Sequence, residues 1–197
     1  MEAYMFRQNY YTMTEASEID RVEMEFQPLR KWQLETGGGA KVPTEWLKAW
    51  PTKAVVAPSD TPLSPWLAAG SYCVNQEVKD IIEELAPDVH QFIPISVEAG
   101  PAGARRNNQY YSLHIANRAD EVVVEKSDVQ WKVNKYSPNK VWRKRGAMAL
   151  PLASIKGKHL WRNRPCMMYC MSGELHDRLQ ERNLLGGLEL EKQIVVG

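Results

Sequence analysis

The chain has 197 residues, enough for one domain with a large core, and its 25 basic and 24 acidic side chains leave a net charge of +1. That balance argues against a dedicated nucleic-acid binder, and no apolar run approaches the roughly 18 residues of a membrane span. Three cysteines, Cys73, Cys166 and Cys170, do not make a disulfide framework. The opening residues lack the basic and apolar regions of a signal peptide, so a reducing cytoplasm is the expected home.

The charge is unevenly distributed. Residues 1–98 carry 15 acidic and 8 basic side chains, whereas residues 129–173 carry 10 basic side chains and no acidic one. Such a split predicts two oppositely charged surfaces. Seven tryptophans supply large anchors for a core or an interface.

In chain order, Tyr4, Phe6, Tyr10 and Tyr11 open an aromatic first strand. The acidic run Glu15, Glu18, Asp20, Glu23 and Glu25 follows, and Val22, Met24 and Phe26 alternate as a strand over 21–26. Gly37-Gly38-Gly39 reads as a flexible loop; no Lys-Ser or Lys-Thr follows it, so a phosphate loop is not expected. Residues 42–47 form a loop or short helix, and 53–57 a buried strand. Pro58, Pro62 and Pro65 punctuate the next connection, and Trp66–Gly70 closes it with Gly70 as a helix C-cap. The clearest helix runs over about 75–86. Asn75 supplies an N-cap, Val78, Ile81, Ile82 and Leu85 recur at helical spacing, and Pro87 forbids continuation. Phe92–Val97 is a strand whose Pro94 demands an edge or a bulge.

Residues 100–108 are rich in turn formers, and Tyr110–Ile115 alternates as a strand. Glu121–Glu125 and Trp131–Val133 read as further strands, the latter leading to a turn at Ser137-Pro138-Asn139. Ser172 caps a second clear helix over about 172–184, stopped by Gly186-Gly187, and Leu188–Leu190 alternates as a closing strand. The fold class expected is α+β: a mixed or mainly antiparallel sheet, these two helices and long loops.

The search for chemistry finds no active site. His90, His114, His159 and His176 show no paired metal-ligand spacing, and Cys166 with Cys170 reads as a buried pair. Cys73 with His90 lacks a third orienting group for nucleophilic catalysis, so Cys73 reads as a core residue. His114 alternates with apolar residues and reads as a hydrogen-bonded structural histidine. Glu83 and Glu84 are adjacent and diverge, so they are not an acid/base pair. No catalytic, cofactor or metal residue is assigned. Two binding readings remain. The basic stretch 132–164 interleaves Tyr136, Trp142 and Trp161 among its cations, which suits phosphates and stacked bases. The acidic stretch 15–25 has the opposite logic and suits the basic cleft of a protein partner.

Three blocks carry a resemblance. They are Ser59-Asp60 with Trp66 and Gly70-Ser71-Tyr72; Val74 through Leu85 with His90-Gln91-Phe92-Ile93-Pro94; and Leu150-Pro151, Ile155 and Gly157-Lys158-His159-Leu160-Trp161-Arg162, with Met171-Ser172, Glu174-Leu175 and Leu185-Gly186-Gly187-Leu188. In order and spacing they resemble family eleven of the bacterial immunity proteins of polymorphic-toxin systems, formerly a domain of unknown function. The resemblance covers about 50–190, a family-like core. Residues 1–50 are the more variable part of what is expected to be a single immunity-type domain over 1–197.

The resemblance implies a cytoplasmic, non-enzymatic protein that binds a cognate toxin, in a 1:1 complex, and occludes its active site. Its repeated residues, Tyr72, His90, Phe92, Pro94, Gly157, His159, Trp161 and Arg162, read as structural. The expected contacts are Glu15, Glu18, Asp20, Glu23 and Glu25, with Trp32 or Trp46 as anchors. The alternative is a nucleic-acid-binding protein that uses 132–164.

Overall fold

The structure is a computed structural model that describes residues 1–8, 40–47, 53–56, 63–68, 72–99, 105–128, 131–134, 137–143, 146–163 and 168–197. The expected strand over 21–26, the triple-glycine loop, Tyr10, Tyr11 and Cys166 lie outside these residues. The first elements are β1 (Ala3–Gln8), α1 (Thr44–Leu47), β2 (Lys53–Val56), β3 (Trp66–Ala68), β4 (Tyr72–Asn75) and α2 (Gln76–Leu85). Then come β5 (Gln91–Ala99), β6 (Arg105–His114), β7 (Arg118–Ala119), β8 (Trp131–Asn134), β9 (Ser137–Arg143) and β10 (Ala149–Pro151). Last are α3 (Leu152–Ile155), β11 (Leu160–Asn163), β12 (Met168–Ser172), α4 (Gly173–Glu181) and β13 (Leu188–Val196). The fold is α+β.

A six-stranded mixed sheet has the order β10-β13-β1-β12-β11-β7, and a five-stranded mixed sheet the order β2-β5-β6-β4-β3. Alternation along β1 explains how the first sheet is covered on both faces. Phe6 joins a core shared with Trp66, Val74, Ile82, Leu113, Leu175 and Leu179, while Ala3 and Met5 join a second core with Leu150, Ile155 and Trp161. Successive strand side chains point to opposite faces, so a strand buried on both must be apolar at consecutive positions, as Ala-Tyr-Met-Phe is. The main core draws on strands of both sheets and on α2 and α4. The far face of the five-stranded sheet is sealed by Leu67, Cys73, Ile95, Val97 and Tyr110.

Both long helices start as the sequence predicts. The Asn75 side chain accepts from Val78 N at 3.0 Å, and Ser172 Oγ accepts from Leu175 N at 3.2 Å. Val78, Ile81 and Ile82 are buried, and the Ala86 N–H closes the first helix on Ile82 O. The second helix ends at Glu181, short of the expected 184. Asn183 takes φ +57 and donates to Gln180 O, while Leu184 donates to Leu179 O at 2.8 Å. This pair of bonds is a Schellman closure, and buried Leu184 and Leu179 supply its apolar contact. The Gly186-Gly187 pair serves a later turn, where Leu188 N donates to Leu185 O and Gly187 takes φ +87.

Four other expectations are corrected. Trp66–Ala68 is a strand, not the end of a helix: Trp66 faces Val74 and Leu67 faces Cys73 across the ladder, feeding cores on opposite sides of the sheet. A helix would turn these neighbours only about 100° apart and could not serve both. Residues 105–108 extend the β5–β6 ladder, with Ala99 paired to Arg105 and Glu98 to Arg106, so polar composition concealed a strand. Glu121–Glu125 forms no strand. Val123 N donates to Ala149 O, Ser127 Oγ bridges Val123 O and Ala149 N, and a three-residue 3₁₀ turn takes Val124–Lys126, leaving Val124 exposed. Ser137-Pro138-Asn139 begins β9. Asn134 pairs directly with Ser137, and a two-stranded sheet has a free edge on each strand where a proline's missing donor is tolerated.

Pro94 meets both predicted conditions locally. β2 covers only Ser96–Ala99 of β5, so Pro94 sits where that side is open, and the register shifts between Ile95 and Val97. The α2 helix packs chiefly on α4, β4 and β6 rather than on β5, the strand that follows it.

Candidate functional site

Glu15, Glu18, Asp20, Glu23, Glu25 and Trp32 lie outside the described residues. Trp46 lies in α1. The segment leading into α1 is held by two side chains of the five-stranded sheet. Gln91 Oε1 accepts from Val42 N at 2.5 Å while its Nε2 donates to Val42 O at 2.9 Å, and His114 Nε2 donates to Ala40 O at 2.7 Å. Gln91 and His114 are cross-strand partners at the end of the β5–β6 ladder. Val42 is buried there, while Thr44 and Glu45 are exposed.

The motif residues fall into distinct groups. Tyr72 packs edge-on to Tyr169, with ring centroids 4.7 Å apart, and Arg162 lies 6.0 Å over the same Tyr169 ring. Phe6 and Trp66 extend this cluster, and Trp66 Nε1 donates to Leu184 O at 2.9 Å. A second group lies on the five-stranded sheet: Phe92 meets Tyr111 edge-on, Lys79 sits over both rings, and Pro94 is the ladder partner of Tyr111. A third is at the start of α4, where His159 Nδ1 lies 3.3 Å from the cap oxygen of Ser172 and 3.7 Å from Glu174. Gly157, at φ +73, turns the chain toward β11, and Trp161 is wholly buried, its Nε1 without a partner among the described residues.

His90 is buried beside the Gln91 site. Its Nδ1 accepts from Ala116 N at 3.3 Å, and its Nε2 has no partner among the described residues. Burial, reinforced by the positive charges of His114 and Lys41, pushes its pKa down to about 4, so the ring is neutral at physiological pH. Burial also lowers the pKa of His114, against the opposing hydrogen bond to Ala40. Burial pushes the Tyr110 phenol up to about 12, and its O–H donates to Ser64 O. Glu83 is bound by Lys79 at 2.5 Å and Glu84 by Arg178 at 2.6 Å, so each carboxylate has its own cation. Among the described residues no three His, Cys, Asp or Glu gather as metal ligands, and Cys73 and Cys170 are buried.

Sequence reasoning missed Gln91 as an anchor and Ser64 with Gly187 as a junction. Gln91 appears in the sequence only as a polar residue at a strand start. Its role depends on Val42, 49 positions away, and no periodic pattern reports such a contact. Ser64 Oγ donates to Gly186 O at 2.7 Å across a still wider gap of 122 positions.

Among the described residues no helix is long and apolar enough to cross a membrane. A comparison with curated proteins returned no match. The model of the immunity protein family Imm11 matches residues 8–194. Matched over nearly its whole length, the chain belongs to the Imm11 immunity protein family.

Proposed function

We propose that the protein is a stoichiometric inhibitor, held in the cytoplasm, that binds one cognate toxin and occludes its active site. The family match over 8–194 carries this reading. The protein acts as a single immunity-type domain, supported by a main core that draws on both sheets and both long helices. It does no chemistry itself. The motif residues Tyr72, His90, Phe92, Pro94, Gly157, His159, Trp161 and Arg162 maintain the scaffold.

The toxin contact lies in the acidic N-terminal half, at Glu15, Glu18, Asp20, Glu23 and Glu25, with Trp32 and Trp46 as anchors. The exposed Glu77 and Asp80 of α2 add to the negative charge of this half of the sequence. A surface of this sign accelerates encounter with a basic cleft and holds it in register.

The test is co-purification with the product of the adjacent gene, calorimetric titration of the pair, and rescue of cells that express that product. One-to-one binding with rescue is expected, and no binding refutes the inhibitor reading. Reversing Glu18 and Glu23 to Lys is expected to weaken both binding and rescue; unchanged binding refutes the placement of the contact. A second reading rests on β8 and β9, which form a two-stranded sheet of their own in which Lys132 pairs with Trp142 and Trp131 with Arg143. It predicts binding to bare nucleic acid that weakens steeply with salt.

A further inference from the structure

Gln91 treats the backbone of Val42 as a neighbouring strand would, accepting from its N–H and donating to its C=O. An amide side chain has both functions in one plane, so it can close such a two-bond ring, which a carboxylate or an ammonium cannot. His114, the ladder partner of Gln91, adds the bond to Ala40. Val42 itself is 2% exposed. The segment 40–42 is therefore fixed at four points: two polar bonds from Gln91, one from His114, and a buried aliphatic side chain. It runs through Pro43 directly into α1, whose first residues Thr44 and Glu45 face solvent and whose third residue is Trp46. Four residues make a single helical turn, far below the length at which a helix holds itself in water. The entry to α1 is thus fixed by the five-stranded sheet.

We infer that Gln91 and His114 form a clasp that positions α1, and with it Trp46, for contact with the toxin, without touching the toxin themselves. This rests on the proposed reading that Trp46 is an anchor. It adds two positioning residues from the five-stranded sheet, in a region of the sequence remote from the contact. The clasp costs little to build: β5 and β6 are rigid, paired elements, and each side chain leaves from the end of the ladder.

The test is a double-mutant cycle in the full chain between Gln91→Ala and Trp46→Ala, read as toxin affinity by calorimetry. Hydrogen exchange at the Val42 amide and thermal unfolding are followed alongside. Gln91→Ala is expected to speed exchange at Val42 and weaken toxin binding by about tenfold, within the range found for coupled neighbouring groups. In the Trp46→Ala background it is expected to weaken binding no further. Gln91→Glu keeps an acceptor for Val42 N–H but sets a carboxylate oxygen against Val42 O, so it is expected to weaken binding at least as much as Gln91→Ala. Unchanged affinity in Gln91→Ala overturns the clasp, as does a loss that is fully additive with Trp46→Ala. Unchanged affinity in Trp46→Ala alone, with Gln91→Ala still weakening binding, refutes Trp46 as the anchor and also overturns its positioning by the clasp. Loss of folding in Gln91→Ala would move the readout to Gln91→Glu, for which the same affinity outcomes apply.

Discussion

Lowering the pH should destabilise the protein through His90, and the amount follows from its surroundings. The ring is 5% exposed, and its pKa falls from the ordinary 6.5 to about 4. Between those values the unfolded chain binds a proton that the folded one refuses. The stability His90 contributes is therefore fully present above 6.5, declines as the pH falls below it, and levels off below about 4. Integrating between about pH 7.5 and about pH 5 gives a loss of about 2 kcal/mol from this residue. His114, also lowered by burial, adds to the loss in the same direction. Glu2, whose carboxyl is held below its ordinary 4.5 by its bond to Lys192, titrates under this window.

The assay is urea unfolding at both pH values for wild type and His90→Asn. The asparagine carbonyl can stand near the place of imidazole Nδ1 and keep an acceptor for the Ala116 N–H, while removing the titration. The variant should lose about 2 kcal/mol less than wild type over the same interval. Equal losses in the two proteins would refute the assignment of His90 as a neutral buried ring.

Two glycines at positive φ should respond differently to alanine. A Cβ at Gly157 meets nothing within 4 Å, so only the backbone cost of roughly 1–2 kcal/mol applies. A Cβ at Gly187 would lie 2.5 Å from Ser64 Oγ and 2.6 Å from Trp66 O, so Gly187→Ala should cost about 3 kcal/mol or more in denaturant unfolding. Trp66→Phe removes the donor that satisfies Leu184 O, whereas Trp161→Phe removes an N–H with no partner among the described residues. The first should therefore exceed the second by about 1–3 kcal/mol in the same assay. Asn183→Gly should leave thermal stability nearly unchanged, while Asn183→Ala should lower it by about 1–2 kcal/mol, because only the glycine adopts φ +57 freely.

What the sequence revealed were the parts whose physics is local. Asn75 and Ser172 were legible as caps because a cap depends on residues only three positions away, and Val78, Ile81 and Ile82 marked a buried face by their spacing. The misread parts depend on distant partners. Trp66 resembles the end of a helix until Val74 stands opposite it, and the Val122–Val124 run has strand composition but no ladder to enter. Asn183 closes α4 before the two glycines that advertise a stop, since asparagine also tolerates the left-handed conformation. The motif residues were legible as a set. That Tyr72 and Arg162 meet on Tyr169 was not, because their strands belong to different sheets. The bonds from Gln91 to Val42 were not legible either, since they join residues 49 positions apart.

The place of β1 has a consequence for the order in which the sheet can assemble. Its neighbours in the sheet are β12 and β13, so Ala3 pairs with Ser172 on one side and Gln193 on the other. Of the described strands, the first in the chain must wait for two of the last. At ribosomal rates of about 5–20 residues per second, the chain between them takes roughly 10–40 s to make, during which Phe6 and Met5 have no sheet to enter. The cores on both faces of this sheet therefore close late, after β12 and β13 have joined β1.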